Sequence, residues 1–325
     1  MKLKDIFGIR NLRTETNTIA GKILVLFKKE YEIPFSDKTI APISDDKISL
    51  LNQQKTFNDY ISIACIAKNE GPYLREWLEY HRLIGVQRFY FYDNESTDNT
   101  KEILKPYIDK NIVIYHYVKG KCMQHPCYRD AFSRYKNNTR WMAVIDLDEF
   151  IVPTTNNDLA SLLKEYEKYP ALAANWLMFD SNGYIDPPEN KLVIEAYTRT
   201  SKHPNQWKSN FYVKSIVNPK QVCYANNPHF FLYKNFKTAV TENFIKIAHR
   251  PYQFSKEYSI EKIRINHYYT KSLREYEKRV QKGYPDMLTP KKFAASHLNF
   301  SETKHEYTIA RFIPELKKRL ESEII

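Results

Sequence analysis

The chain has 325 residues, of which 42% are apolar and 27% charged, and its formal net charge is +12 with a pI near 9.2. This length and apolar content predict one large domain, or one domain with appendages, and exclude a short or disordered chain. The apolar runs are too short for a membrane span, and no signal peptide is expected at the charged start. The four cysteines are irregularly spaced, which fits a reducing compartment without disulfides. The basic balance favours polyanionic partners such as nucleic acid, an anionic lipid surface or a phosphate-bearing substrate.

Residues 1–55 are predicted to be an N-terminal extension, because Pro34 and Pro42 interrupt any long element. A regular pattern starts with the apolar run 60–67, a predicted buried strand, and continues with a helical pattern over 73–84 that Gly85 ends. Further strands are predicted at 88–93, 111–118 and 141–148, with helices at 97–105 and 124–138 between them. This alternation predicts an α/β fold with a mostly parallel, doubly wound sheet and helices on both faces.

The pattern is less regular after Pro153. Strands are predicted at 171–179, at 211–219 and up to His267, and helices at 158–170 and 273–282. Residues 284–325 are basic and are predicted to form a helical C-terminal extension.

Three acids, Asp146, Asp148 and Glu149, follow the apolar run of the predicted fourth strand. Burying them is costly unless a cation meets them. Alternate residues at a strand end point the same way, so Asp146 and Asp148 should share a face while Leu147 turns into the core. Two such carboxylates can hold Mg²⁺ or Mn²⁺, and the ion can neutralise the charge that develops on a diphosphate leaving group.

Polar residues also follow the first two predicted strands, namely Asn69 with Glu70 and Asp93 with Asn94. Ligands bind beyond the carboxyl ends of parallel strands, so these side chains and the acids predict one crevice, in which Asp93 could accept from a ribose or a base edge. The chain lacks a glycine-rich dinucleotide fingerprint and a Walker lysine motif, which excludes two common ways of holding phosphates. We therefore expect a nucleotide held through a metal ion.

Two further residues are candidates for this crevice. His267 ends a predicted strand and could complete the metal coordination, although a lone histidine often has only a structural role. Lys214 could contact a phosphate, and its alternative is a solvated lysine on a strand.

Four stretches in this order, 64–100, 144–153, 214–219 and 265–272, resemble glycosyltransferase family 92 and its bacterial relatives of the family 2 type. The similarity spans residues 60–283. It implies a GT-A fold over residues 56–283, a nucleotide-sugar donor that is usually a UDP-sugar, a divalent metal and inversion at the anomeric carbon. The metal ligands that it implies are Asp146, Asp148 and His267. The predicted donor-binding residues, with Lys214, are Ala67, Asn69, Glu70, Asp93, Ser96, Gln124, Tyr128 and Asp146.

The catalytic base is less clearly marked. The resembled family usually has Phe-Gly-Ser where this chain has Phe179-Asp180-Ser181. Inverting transfer needs a carboxylate that takes the proton of the acceptor hydroxyl, and Asp180 and Glu149 are the candidates. The alternative for Asp180 is a cap on the turn 180–183.

We therefore predict a metal-dependent inverting glycosyltransferase that uses Mn²⁺ or Mg²⁺ and a cell-surface glycan acceptor such as lipopolysaccharide or capsule. The protein is expected in the cytoplasm or at the inner face of the membrane. The reason is that the basic, aromatic-rich C-terminal third could approach an anionic membrane or a lipid-linked acceptor. The alternative for this C-terminal third is a helical cap that packs on the domain. A nucleotidyltransferase is disfavoured by the missing glycine-rich loop. A nucleic-acid-binding protein is disfavoured by the dispersed basic residues and the acids in the crevice.

Overall fold

The structure is a computed structural model that describes residues 57–225, 227–247 and 253–324, so the predicted N-terminal extension lies outside the described residues. The strands are β1 (Asp59–Ala67), β2 (Arg88–Asn94), β3 (Val113–Val118), β4 (Thr139–Val144), β5 (Glu149–Pro153), β6 (Ala171–Met178), β7 (Arg199–Ser201), β8 (Val213–Val217), β9 (Val222–Tyr224), β10 (Leu232–Tyr233), β11 (Ile263–His267) and β12 (Thr303–His305). The α-helices are α1 (Gly71–Leu83), α2 (Thr100–Asp109), α3 (Gln124–Tyr135), α4 (Leu159–Lys164), α5 (Val193–Ala196), α6 (Leu273–Lys282) and α7 (Ile313–Glu321).

The main sheet has eight strands in the order β3-β2-β1-β4-β8-β6-β11-β5. Strands β1 to β4 run parallel, β6 and β11 run in the same direction, and only β8 and β5 run against them. The predicted α/β class with a mostly parallel sheet is confirmed.

The sequence of β1 shows why this sheet is covered on both sides. Ile61 and Ile63 pack with helices α1, α2, α4 and α7 on one face, and Ala64 and Ile66 pack with α3 on the other. A strand that is apolar on both faces cannot leave either face in water, which gives the continuous apolar run of a buried parallel strand. Helices therefore cover both faces, as predicted.

The sheet is strongly curled. Strands β4 and β5 are separated by three strands in the sheet, yet only residues 145–148 connect them. In a flat sheet four strand spacings would be about 19 Å, and a fully extended connection of this length would reach only about 18 Å. The connection is instead a folded turn, in which Glu149 N donates to Asp146 O at 3.1 Å. The two strands must therefore approach each other through the curl. The prediction that the fourth strand continues to Asp148 is wrong, because β4 ends at Val144.

The C-terminal part of the chain packs against the rest. Strand β12 pairs with β7, and Arg75 on α1 donates to the carbonyl of Ser322 just after α7 at 2.8 Å. Over the described ranges, no helix has the length and apolar character that crossing a membrane requires.

Candidate active site

The turn between β4 and β5, residues 145–148, places two carboxylates at the carboxyl end of the parallel strands. Leu147 is buried in the core, whereas Asp146 and Asp148 each meet a cationic side chain. The predicted split between Leu147 and its two neighbours is thus observed. We call residues 145–148 the acidic turn.

Asp146 is the meeting point of three predicted donor-binding side chains. Lys214 Nζ lies 2.9 Å from Asp146 Oδ2, while Gln124 Nε2 and Tyr128 OH donate to Asp146 Oδ1 at 3.2 and 3.4 Å. Burial raises the pKa of Asp146, but the Lys214 ammonium outweighs it and leaves that pKa below its usual value. The structure therefore brings these predicted donor-binding residues together.

Lys214 and Glu149 form a buried pair beneath the acidic turn. Their side chains are 1% and 0% exposed, and Lys214 Nζ lies 3.2 Å from Glu149 Oε2. The solvated alternative for Lys214 is therefore wrong. Glu149 Oε2 also accepts from Asp146 N at 2.9 Å, whereas Glu149 Oε1 has no hydrogen-bond partner among the described residues. Burial raises the pKa of Glu149 to about 8. In this position Glu149 holds the turn, and its burial disfavours contact with an acceptor sugar.

Asp148 contacts a residue that the sequence analysis did not single out. Arg279 on α6 donates to Asp148 Oδ2 and stacks over the ring of Tyr269, 4.3 Å from its centroid. His267 Nε2 lies 3.4 Å from the same carboxylate oxygen. Burial alone would raise the pKa of Asp148, yet the Arg279 guanidinium holds it well below its usual range. The sequence feature that could have indicated Arg279 is its spacing from Lys282. The two basic residues are three positions apart and therefore share a face of the predicted helix.

The surroundings of His267 fit a role as a metal ligand. It is buried at the end of β11, and neither ring nitrogen makes a hydrogen bond within the part of the chain that the structure describes. A buried polar atom without a partner is costly, and an imidazole nitrogen beside a carboxylate oxygen suits Mn²⁺.

The residues present fit a metal ion that is completed by substrate. No group of three or more His, Cys, Asp or Glu side chains is arranged around one point within residues 57–225, 227–247 and 253–324. Ions of the Mg²⁺ type commonly take one or two protein carboxylates and fill the other positions with phosphate oxygens and water. Asp148 and His267 are the residues that could hold such an ion here.

The first two strand ends are joined in a hydrogen-bonded network. Asn69 N donates to Ser96 Oγ at 2.9 Å, Thr97 N donates to Asn69 Oδ1 at 2.7 Å, and Ser96 N donates to Asp93 Oδ1 at 2.9 Å. Tyr115 OH donates a hydrogen bond to the other carboxylate oxygen, Asp93 Oδ2, at 2.7 Å. Asn69, Asp93 and Ser96 are therefore brought together as predicted, but both Asp93 oxygens already accept hydrogen bonds. Helix α2 begins only at Thr100, so the prediction that this helix starts at residue 97 is wrong.

Basic residues of α6 also reach the end of the first strand. Lys282 Nζ donates to Glu70 Oε1 and to the carbonyl of Lys68, both at 2.6 Å. Ala67 is the last residue of β1 and is buried. Helix α6 thus spans the crevice, with Arg279 on the acidic turn and Lys282 at the end of β1.

Asp180 has the environment of a structural carboxylate. It is fully buried, and Arg199 Nε donates to its two oxygens at 2.8 and 2.9 Å. It also accepts from the backbone N–H of Asn182 at 2.9 Å and of Phe300 at 3.1 Å. This is the turn-capping alternative considered for Asp180. With its oxygens already occupied, Asp180 is poorly placed to take a proton from an acceptor.

One known family matches most of the chain. A model of glycosyltransferase family 92 matches residues 61–323. The chain belongs to glycosyltransferase family 92. The match includes the acidic turn, β11 and α6, and it extends past the predicted boundary at residue 283.

The chain resembles several plant glycosyltransferases. A rice family 92 protein is 28% identical over 196 residues, which cover 59% of this chain and 33% of the rice protein. A galactan β-1,4-galactosyltransferase of Arabidopsis thaliana, GALS2, is 27% identical over 106 residues, covering 30% of this chain and 20% of that protein. The chain spans about a third of the length of the curated relatives that it matches first.

Solved structures resemble the chain only weakly. The structure of residues 1–349 of TarS from S. aureus is 16% identical, with a TM-score of 0.33, and the match covers 49% of this chain and 47% of TarS.

Proposed function

We propose that this chain transfers a sugar from a nucleotide-sugar donor to a hydroxyl group of a glycan. The observation that carries the proposal is the crevice between the acidic turn and α6, where Arg279 pairs with Asp148 and Lys282 pairs with Glu70. Opposite charges at one strand edge suit a diphosphate, because cations can neutralise its oxygens while carboxylates retain a divalent ion. Membership of family 92 supports glycosyl transfer as the reaction class.

We propose Mn²⁺ or Mg²⁺ as the bound ion, with Asp148 and His267 as its protein ligands. When bound, such an ion would stabilise the charge that develops on the departing nucleotide. Arg279 would exchange its contact with Asp148 for the diphosphate, since a guanidinium can hold phosphate oxygens in a bidentate manner. Lys214 would remain beneath the turn and keep Asp146 in place.

The finer features of the donor and acceptor are proposals as well. A UDP-sugar is favoured by the resemblance of residues 64–100 and 144–153 to the family. The relatives named galactan β-1,4-galactosyltransferases support a hexose donor and a polysaccharide acceptor. We propose that the acceptor is a cell-surface glycan, which in a bacterium would be lipopolysaccharide or capsule. We also propose that the reaction takes place on the cytoplasmic side of the membrane.

Inversion requires the acceptor hydroxyl to attack the anomeric carbon from the side opposite the nucleotide while a base removes its proton. In the positions described above, Glu149 is shielded beneath the acidic turn and Asp180 is engaged with Arg199. Neither carboxylate is therefore assigned as the base, and the proposal rests on donor binding.

The test is a screen of nucleotide-sugars for hydrolysis and transfer, with and without Mn²⁺. We expect one UDP-sugar to be consumed only when the metal is present, and Asp148→Ala to lose at least about a hundredfold in rate, as expected for a direct metal ligand. Asp186→Ala is the matched control, because Asp186 is an exposed aspartate whose ion pair with Arg274 is long, at 3.9 Å. Consumption of no donor, or an unaffected Asp148→Ala protein, would refute the proposal.

Two other outcomes would identify the alternatives. Release of pyrophosphate from a nucleoside triphosphate and a sugar phosphate would indicate a nucleotidyltransferase. Retention of DNA with a steep salt dependence, without binding of UDP, would indicate a nucleic-acid-binding protein.

A further inference from the structure

The segment after α6 exposes large apolar side chains beside the crevice. Leu288 is 76% exposed, Phe293 47% and Met287 46%. Of the large apolar side chains that the structure shows as exposed in its described ranges, three of eight lie within these seven residues. Single exposed apolar residues are ordinary, but a local concentration of them marks an interaction surface. We call residues 284–294 the rim segment.

The rim segment is fastened to the active site at both ends. Near its start, Gln124 N at the beginning of α3 donates to the carbonyl of Pro285 at 3.2 Å. Near its end, Ala294 N donates to Tyr276 OH on α6 at 3.2 Å. Between these points Lys291 Nζ lies 5.2 Å from the ring centroid of Tyr269, the ring on which Arg279 stacks. The exposed side chains therefore project from a loop with its base held at the crevice.

The charge around these side chains is positive. Lys278 and Lys292 are exposed, and Asp286 is the one acid between residues 278 and 293. Exposed apolar side chains bordered by lysines are typical of segments that lie in the interface of a membrane with anionic lipids. A glycan chain would instead be expected to meet the flat faces of exposed tryptophan or tyrosine, and the three exposed apolar side chains here are Met, Leu and Phe.

We propose that the rim segment docks the protein on an anionic lipid surface. Met287, Leu288 and Phe293 enter the headgroup region, and Lys278 and Lys292 contact the lipid phosphates. The base of the segment is attached to α3 and α6, so docking brings the crevice to the lipid surface. This binding requires no nucleotide and no metal, so it is tested separately from the proposed sugar transfer.

The experiment is flotation of the full chain, without nucleotide, on vesicles of phosphatidylcholine alone and of phosphatidylcholine mixed with phosphatidylglycerol. We expect binding only to the mixed vesicles, and weaker binding at high salt. Met287→Ser combined with Leu288→Ser should lower vesicle affinity roughly tenfold or more, because both side chains lose their burial in the headgroup region. Lys292→Glu should lower it about fivefold or more.

Two matched variants serve as controls. Ile185→Ser removes an apolar side chain outside the rim segment that is 59% exposed, between Met287 and Leu288 in exposure, and Lys101→Glu reverses an exposed charge on α2. Both should bind vesicles as the unaltered protein does. Three results would overturn the proposal: no binding of the unaltered protein to either kind of vesicle, binding that survives the rim variants, or an equal loss in the controls. Loss of binding to a polysaccharide in the rim variants, without any vesicle binding, would assign the segment to a glycan instead.

Discussion

The buried ion pair beneath the acidic turn predicts a large stability cost for Lys214→Met. Methionine keeps most of the length of lysine but lacks the ammonium that faces Glu149 and Asp146. Asp146 is 29% exposed and retains Gln124 and Tyr128 as partners, so most of the cost should come from Glu149, which is 0% exposed.

The size of this cost follows from the burial of the pair. Removing one member of a buried pair typically costs about 3–5 kcal/mol, because the other charge is left without compensation. For a domain of this size each kcal/mol lowers Tm by roughly 2 °C or slightly more. Lys214→Met is therefore expected to lower Tm by roughly 6–10 °C. Combining it with Glu149→Gln should restore at least part of the loss, because neutral replacements for both partners leave no buried charge.

The assay is urea and thermal unfolding of the unaltered protein, the single variant and the double variant at pH 9, because burial raises the pKa of Glu149 to about 8 and its carboxylate is mainly charged only above that pH. The matched control is Lys262→Met, since Lys262 pairs with Glu165 at 3.3 Å on the surface, where both side chains are more than a third exposed. That variant should lose no more than about 1 kcal/mol. If Lys214→Met loses as little as the control, or if Glu149→Gln deepens its loss, the pair does not hold the turn.

Three further predictions concern other carboxylates and the metal. Asp180→Ala should lose about 3–5 kcal/mol of unfolding free energy, because it leaves Arg199 without its buried partner; a variant with unchanged Tm and no sugar transfer would instead make Asp180 the base. Burial raises the pKa of Glu76 from 4.5 to about 7, so the stability that its protonated form contributes is present below pH 4.5 and lost as the pH rises through 7. In urea unfolding, Glu76→Gln should therefore lose roughly 2–3 kcal/mol less than the unaltered protein between pH 5 and pH 8, and parallel pH profiles would contradict this. His267→Ala should weaken Mn²⁺ binding at least about tenfold, measured by electron paramagnetic resonance of the free ion; an unchanged affinity would return His267 to a structural role.

The first half of the sheet could be predicted because its strands are simple in sequence. Strand β1 is apolar on both faces, and Gly85 follows α1 with a φ of 103°, a value that glycine adopts readily. The directions of β5 and β8 could not be predicted, because an apolar run has the same periodicity in a parallel and an antiparallel strand. The end of β4 was placed too late since the acidic turn is followed directly by another apolar strand.

The site could be predicted only as a set of residue types. Polar strand ends indicated a crevice, but the sequence does not show which oxygens are already occupied. Asp180 and Glu149 are both carboxylates, and the structure alone shows that the first is bound to Arg199 and the second to Lys214. Arg279 was missed for a related reason: its helix was predicted, but the contact with Asp148 depends on how α6 crosses the end of β11.

The curl of the sheet also determines when the crevice can form during synthesis. Strand β5 leaves the ribosome immediately after β4, but its neighbour β11 begins at Ile263, more than a hundred residues later. Until that length has been made, a nascent chain carries the acidic turn without the imidazole and guanidinium that surround it in the finished molecule. Such long-range pairing is slow, because a large loop must close before any stabilising contact forms. The crevice is therefore completed late, by β11 and α6, which are made more than a hundred residues after the acidic turn.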